Sequence, residues 1–483
     1  MDLALANDID MEQYKFFEEI AKNRVGADGA VIIVTHEPMW TMDGMNPNIK
    51  TEDISEPNLR ELMRTPLAGR VRARIAGDLH HYTRHTPNQQ QQQQQQQSDN
   101  GSPANLPELI VSGGGGAFLH PTHVFENEIK VGVHQADYKR VSCYPDERIS
   151  YRLSFLNILH FRWRNWRLDI VWGGMYFLLA YSLFPLCGLY SDFKEQNFVR
   201  GDRVLLEFPI WWLGKFVECM VNIAHHGFVS PLVIVVVLSS LYILCDECME
   251  GKRRIVWGLT HGLVHIFCAI SCCLFIELVT ELAAEELFLG VGGRGRGRGA
   301  GADVAMSDSL MDEFETHFAG MFNTALETVN ENLNLNSVVL LPPDTDFGRV
   351  GNMCRHVMEI VENLVKIPSV KHIYDVIDVP GTLVRTHEQI CAAGRGGGGG
   401  VGGVDRFVVV SYFGSLALYY FVLAIPIAGF VFGGWLCITL NYFKAQHNEG
   451  FSSLRIQHWK NLLKCHVRSD GDLEIFAIGL DRR

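Results

Sequence analysis

The chain has 483 residues, room for two or three domains. With 47% hydrophobic and 20% charged residues, a net charge of −12 and a mean hydropathy of +0.06, it is apolar for a soluble protein. Membrane spans are expected.

Asp10 to Arg24 places Tyr14, Phe17 and Ile20 or Ala21 at helical spacing. A continuous β-branched run, Val31 to Val34, follows, of the kind buried on both faces of a parallel sheet. His36 lies just beyond it, where ligands bind in open α/β sheets, and Pro38 stops the chain from running on into a helix. A second strand-like stretch, RVRARIA, leads into GDLHHYTRH. There Asp78 and His80 stand two apart and project to one face in extended chain, while His81 projects to the other. Carboxylate and imidazole together suit borderline or hard divalent ions; the competing reading is a polar loop whose histidines touch only water. The order helix, strand, His loop, strand, Asp-x-His loop is α/β logic.

THEPMW, AGDLHHYTRH and SGGGGAFLHPTHVF together resemble a membrane-anchored eukaryotic branch of the calcineurin-like metallophosphoesterase superfamily, whose last two metal-binding motifs are a His after a buried strand and a G-H-x-H turn. The likeness is strongest from Asp2 to Phe125 and from Phe407 to Leu480. It implies the C-terminal half of a metallophosphoesterase sandwich, with His36 ligating one of two divalent ions (Mn, Fe, Zn or Mg) and His80 the other, and Asp78 standing in the first histidine's place. His81, His85, His120 and His123 are candidates for supporting contacts beneath the ligands. The family's upstream Asp-x-His, GD-x-x-D and N-H-D/E motifs do not precede these residues, so the catalytic half-site is expected to be incomplete and the chain as written inactive. Two cations clamping an in-line displacement need more than three ligands.

Four uncharged or nearly uncharged runs read as spans, making the region after the α/β half a multi-pass α-helical membrane region: Ile170 to Tyr190, Phe228 to Cys245, Ile255 to Ile276, and Phe407 to Leu440, the last as one tilted helix broken near Pro426. Val204 to Ala224, with Trp211 and Trp212 but also Glu207, Lys215 and Glu218, reads as an interfacial amphipathic helix. Arg162, Arg164, Arg167, Lys252, Arg253, Arg254, Lys444, Arg455, Lys460 and Lys464 flank the spans on one side. The positive-inside rule then makes the phosphoesterase half and the tail cytoplasmic and leaves Glu277 to Asp405 on the far side.

The expected organisation is 1–160 for the phosphoesterase part, 161–280 for the first three spans, 281–405 for a far-side segment, 406–441 for the last span and 442–483 for a tail. Asp470-Gly471 between two strand-like runs signals a hairpin in that tail. Far-side amphipathic helices are expected from Leu310 to Val329 and from Met353 to Leu364, and the Gln89 to Gln97 run and two glycine-rich tracts are flexible insertions. Cys245 and Cys248 form a juxtamembrane CxxC without a second pair. His261 and His265, at i and i+4 in the third span, are read as an interhelical hydrogen bond or as a metal or proton path. Partners are expected to be membrane lipids and a phosphate-ester substrate, with no nucleic acid. The functional reading is a membrane-anchored metal-dependent phosphoesterase; the alternative is a non-catalytic membrane scaffold or transport protein keeping a degenerate phosphoesterase fold.

Overall fold

The computed structural model describes residues 1–3, 8–26, 28–44, 54–88, 106–132, 136–196, 204–245, 251–292, 379–395 and 404–480. The Gln run, the 307–329 and 353–364 helices and Cys248 lie outside these residues.

In chain order the elements are α1 (Met11–Asn23), β1 (Val31–Thr35), α2 (Met39–Gly44), α3 (Pro57–Arg64), β2 (Val71–Ala76), β3 (Tyr82–Pro87), β4 (Glu108–Ser112), β5 (Glu128–Val131) and β6 (Ala136–Tyr144). Then come α4 (Glu147–Ser154), α5 (Leu156–Ala180), α6 (Leu189–Glu195), α7 (Val204–His226), α8 (Val229–Ile243) and α9 (Gly251–Gly292). The chain closes with α10 (Val379–Arg395), α11 (Arg406–Phe443), α12 (His447–Ser452) and the strands β7 (Lys460–Val467) and β8 (Leu473–Leu480). Two compact units result: Met1–Trp172 with Val237–His265 and Ile425–Arg483, and Gly173–Val236 with Ile266–Ala424.

In the first unit, six strands form a mixed sheet in the order β1-β2-β4-β3-β6-β5, with β1, β2 and β4 parallel and β3 antiparallel to both its neighbours. Asp10 starts α1 by accepting the Glu12 and Gln13 backbone N–H groups, which the first helical turn would otherwise leave unpaired. Ala21 of α1, Leu59 and Leu62 of α3 and Ile33 of β1 bury one apolar cluster; Trp40, Leu109, Val111, Phe125 and Tyr138 bury another. The run at β1 does form a strand, but at the sheet's edge, with Ile32 40% and Val34 57% exposed. A strand buried on both faces was expected; its β-branched sequence sets the extended backbone but does not say how many neighbours cover it.

Beneath α3, Arg74 of β2 donates from Nη2 to both carboxylate oxygens of Glu56, at 2.6 and 2.7 Å, and its guanidinium lies 4.6 Å over the Trp40 ring. A third cluster, Leu119, Val124, Leu440 and Phe451, joins the loop after β4 to the end of α11 and to α12. The tail hairpin forms, β7 pairing with β8 around Gly471, whose φ of +91° suits a residue without Cβ.

By length and apolar composition, Gly251–Ala284 and Arg406–Phe443 can each cross a membrane. Glu207–His226 with Val229–Ile243 adds a third candidate if this pair, bent by 112°, is one broken span. Two of the expected spans fall inside these helices, with two differences. α11 runs unbroken through Pro426; proline is tolerated in long apolar helices where neighbouring groups take up the backbone carbonyl it frees. Ile170 to Tyr190 is not one helix: α5 ends at Ala180, a 3-10 turn follows, and Phe184, the residue before Pro185, is extended as its neighbour's ring requires. The charges interrupting Val204 to Ala224 are partly paired, since the Lys215 amine donates to Asp192 at 2.7 Å and Glu218 at 2.9 Å.

Within the second unit, Cys187 and Cys391 form a disulfide across 204 residues of sequence. Beside it His387 Nε2 lies 2.9 Å from Glu277 Oε2, and the Tyr412 hydroxyl donates to Glu277 Oε1 at 2.9 Å. The Glu281 carboxylate accepts the backbone N–H groups of Gly188 and Tyr190.

Candidate functional site

The parallel strands β1 and β2 end side by side, and their ends are tied together: the backbone N–H groups of Gly77 and Asp78 both donate to the His36 carbonyl, at 3.1 and 3.0 Å. This brings His36 Nε2 to 3.7 Å from Asp78 Oδ1. Two donors bound to one cation at about 2.1 Å lie roughly 3 to 3.5 Å apart, so this pair fits one divalent ion after a small adjustment. Glu37 Oε1 lies 3.6 Å from His36 Nδ1, within ion-pair reach but beyond hydrogen-bond distance.

His80 follows two residues later but is held differently. Its backbone N–H donates to His120 Nδ1 at 2.7 Å. That bond makes Nδ1 an acceptor, so the His120 proton is on Nε2, which donates to Asn448 Oδ1 at 2.5 Å. Burial, helped by the neighbouring His80 and His447 rings, lowers the His120 pKa to about 4 and keeps it neutral. The His80 ring packs edge-on against Phe118, with centroids 4.7 Å apart, and burial lowers its pKa against the opposing pull of Asp78. Gly116 lies directly against it: a Cβ there would sit 2.2 Å from His80 Cδ2. A Cβ on Gly113 would sit 1.7 Å from the Gly77 carbonyl oxygen. The glycine run is thus shaped by close backbone approach to the GDLHH turn.

The tail closes over this loop. The Lys460 amine donates to the Gly116 carbonyl, and Ser112 Oγ donates to Asn461 Oδ1 at 3.2 Å. As site residues Asn448, Lys460 and Asn461 escaped sequence reasoning, since nothing local links them to His120, Gly116 and Ser112, more than 300 residues away.

The remaining histidines turn inward. His81 is fully buried against Phe125, with centroids 5.2 Å apart, and His85 is buried on β3 opposite Leu109 and Arg140. Burial, reinforced by Arg140, lowers the His85 pKa to about 4. His123 Nε2 donates to Asn441 Oδ1 at 3.1 Å, since an amide oxygen only accepts, and its Nδ1 therefore accepts a hydrogen bond from the Ser150 hydroxyl at 2.8 Å. Among the described residues, His81, His85 and His123 make no hydrogen bond to His36, Asp78 or His80; His120 does, through the His80 backbone.

Among the described residues, the only three metal-ligating groups brought within 4.8 Å of one another are Cys187, His387 and Cys391, and there the two sulfurs are already bonded. His36 and Asp78 therefore converge, while His80 does not join them. The set suits one cation; a second would need donors besides His80. Comparison with family models, curated proteins and solved structures finds no match to the chain.

Proposed function

We propose that the first unit carries the metal-holding face of a membrane-anchored, metal-dependent phosphoesterase. The observation that carries the reading is the approach of His36 Nε2 to Asp78 Oδ1 at the carboxyl ends of two adjacent parallel strands. A divalent ion bound there supplies Lewis acidity toward a phosphoryl oxygen. His36 and Asp78 bind that ion, and His120, whose tautomer is fixed by the His80 N–H and Asn448, sets the backbone from which His80 projects. The alternative, a non-catalytic membrane scaffold or transport protein with a degenerate site, has one observation on its side, the divergence of His80 from the other two donors.

The two readings separate by experiment. In calorimetric titration of the purified full chain, Mn²⁺ binds, and His36→Ala and Asp78→Ala each weaken it by about tenfold or more, or 1.4 kcal/mol. Asp78→His keeps or raises the affinity, because imidazole restores the donor the family motif carries. Unchanged binding in both alanine variants would overturn the site. Mn²⁺-dependent hydrolysis of an aryl phosphate that is lost in His36→Ala supports the enzyme; absence of any Mn²⁺ binding that depends on His36 or Asp78 supports the scaffold.

The proposed orientation places the first unit's sheet on the cytoplasmic face and 277–405 on the far side. Its support is the lysine and arginine distribution together with the Cys187–Cys391 disulfide, a bond that persists in oxidising compartments. Free Cys143 and Cys465 belong to the sheet unit. In sealed vesicles with the cytoplasmic side out, an impermeant maleimide labels Cys465, while Cys187 and Cys391 resist it even after a membrane-permeant reductant has opened their bridge and been removed. Labelling of Cys187 from that side after such reduction would reverse the assignment.

A further inference from the structure

Helix α5 departs from helical geometry at Asn165, where φ is −121° and ψ 28°. Asn165 holds the kink itself: its side-chain amide donates to the Phe161 carbonyl at 2.9 Å and to the Ser453 carbonyl at 3.1 Å. The second bond draws the segment after α12 against the kink and sets Arg455 beside it. Arg455 has φ of +50°, a left-handed backbone that non-glycine residues rarely adopt. The result is a cleft of about 400 Å³ lined by Arg164, Asn165, Trp166, Arg167, Leu168 and Arg455.

Three guanidinium groups line this cleft and no carboxylate does. The acid nearest in sequence, Asp169, is buried and paired with Arg162 at 3.6 Å, and Arg162 in turn lies over the Phe430 ring. Arg167 lies over the Trp166 ring, 5.5 Å from its centroid. Neither Arg164, Arg167 nor Arg455 has an ion-pair partner among the described residues. Three exposed arginines beside a fixed kink, with no acid in the lining, leave positive charge that an anion can neutralise. Their planar donor forks match the oxygens of a phosphate group.

The surroundings say where that phosphate comes from. Trp163 and Trp166 are 62% and 55% exposed, and one turn further along α5 Ile170 and Val171 are exposed as well. Exposed tryptophans beside arginines, followed within about 6 Å of helix by exposed aliphatic side chains, have the order of a membrane interface: headgroup first, acyl chain next. A basic pocket in that position takes an acidic headgroup.

We propose that the Arg164–Arg167–Arg455 cleft binds the phosphomonoester headgroup of an acidic membrane lipid, with the acyl chains lying along Ile170 and Val171. A phosphomonoester carries close to two negative charges and three free oxygens, more than a zwitterionic phosphodiester offers to three arginines. The inference does not depend on the phosphoesterase reading, since no residue is shared with His36, Asp78 or His80.

The test uses the full chain in nanodiscs, with phosphatidic acid as the probe lipid in a phosphatidylcholine background, read by native mass spectrometry of lipids retained after release. Wild type retains phosphatidic acid in preference to phosphatidylcholine. Arg164→Gln and Arg455→Gln, both exposed positions, each reduce that preference several-fold, and the double variant abolishes it. Melting curves that match wild type show that the variants are folded. Arg253→Gln, in another basic stretch, retains the preference; an equal loss there would reduce the effect to general charge attraction and overturn the site. Undiminished phosphatidic acid in the double variant also overturns it. Displacement by inorganic phosphate at concentrations matching the lipid would identify a soluble anion and overturn the lipid assignment.

Discussion

Lowering the pH from 7 to about 4 destabilises the sheet unit by about 3 kcal/mol through His85 alone, because burial holds this imidazole neutral with a pKa of about 4. The sign follows from proton uptake. An unfolded histidine takes up its proton near pH 6.5 and the folded one does not until about pH 4, so the unfolded state binds more protons in between. The stability is fully present above pH 6.5 and is lost progressively as the pH falls to about 4. His123, also lowered to about 4 by burial but less completely enclosed, adds a smaller loss in the same direction. Thermal melting of the full chain, followed by tryptophan fluorescence across that range, shows the midpoint falling with pH. His85→Phe removes one proton-binding group and makes the fall shallower. A midpoint that does not move between pH 7 and pH 4.5 would show that neither ring is kept neutral by the fold.

Arg74→Ala lowers the stability of the same unit by about 3 to 5 kcal/mol, because it strands the Glu56 carboxylate in the core. Both side chains are nearly inaccessible; burial raises the Glu56 pKa, and the two hydrogen bonds and the charge from Arg74 oppose that rise. Removing the cation leaves only the burial. The substitution also deletes the group stacked on Trp40. Pairing Arg74→Met with Glu56→Gln recovers most of the loss, since the stranded charge rather than the missing bridge carries the cost. Denaturant unfolding of the two variants decides the matter: a single variant within about 1 kcal/mol of wild type would mean that Glu56 finds another partner or water.

The Arg74–Glu56 pair marks the limit of what the sequence discloses. RVRARIA reads as a strand, and β2 covers Val71–Ala76, yet nothing in that alternation says that one of its arginines points into the core toward a glutamate 18 residues earlier. The same holds at the site. His36 and Asp78 could be picked out because each stands just past a β-branched or alternating run, and adjacent parallel strands deliver their ends to one place. His80 looked equivalent by spacing. Its backbone bond to His120 and its packing against Gly116 and Phe118 come from a loop 30 to 40 residues on, and so held it does not gather with His36 and Asp78 into a three-donor group. Apolar runs show the complementary weakness: Ile170 to Tyr190 has a span's composition, while Pro185 and its neighbour decide where the helix stops.

The disulfide between Cys187 and Cys391 has a topological meaning as well as an energetic one. It closes the backbone between them into a covalent ring that contains α6 through α9 and the first part of α10. A single peptide-bond cleavage anywhere in that ring opens it without releasing a fragment. A protease acting on this stretch therefore converts the molecule into two chains that travel as one until the sulfur bridge is reduced.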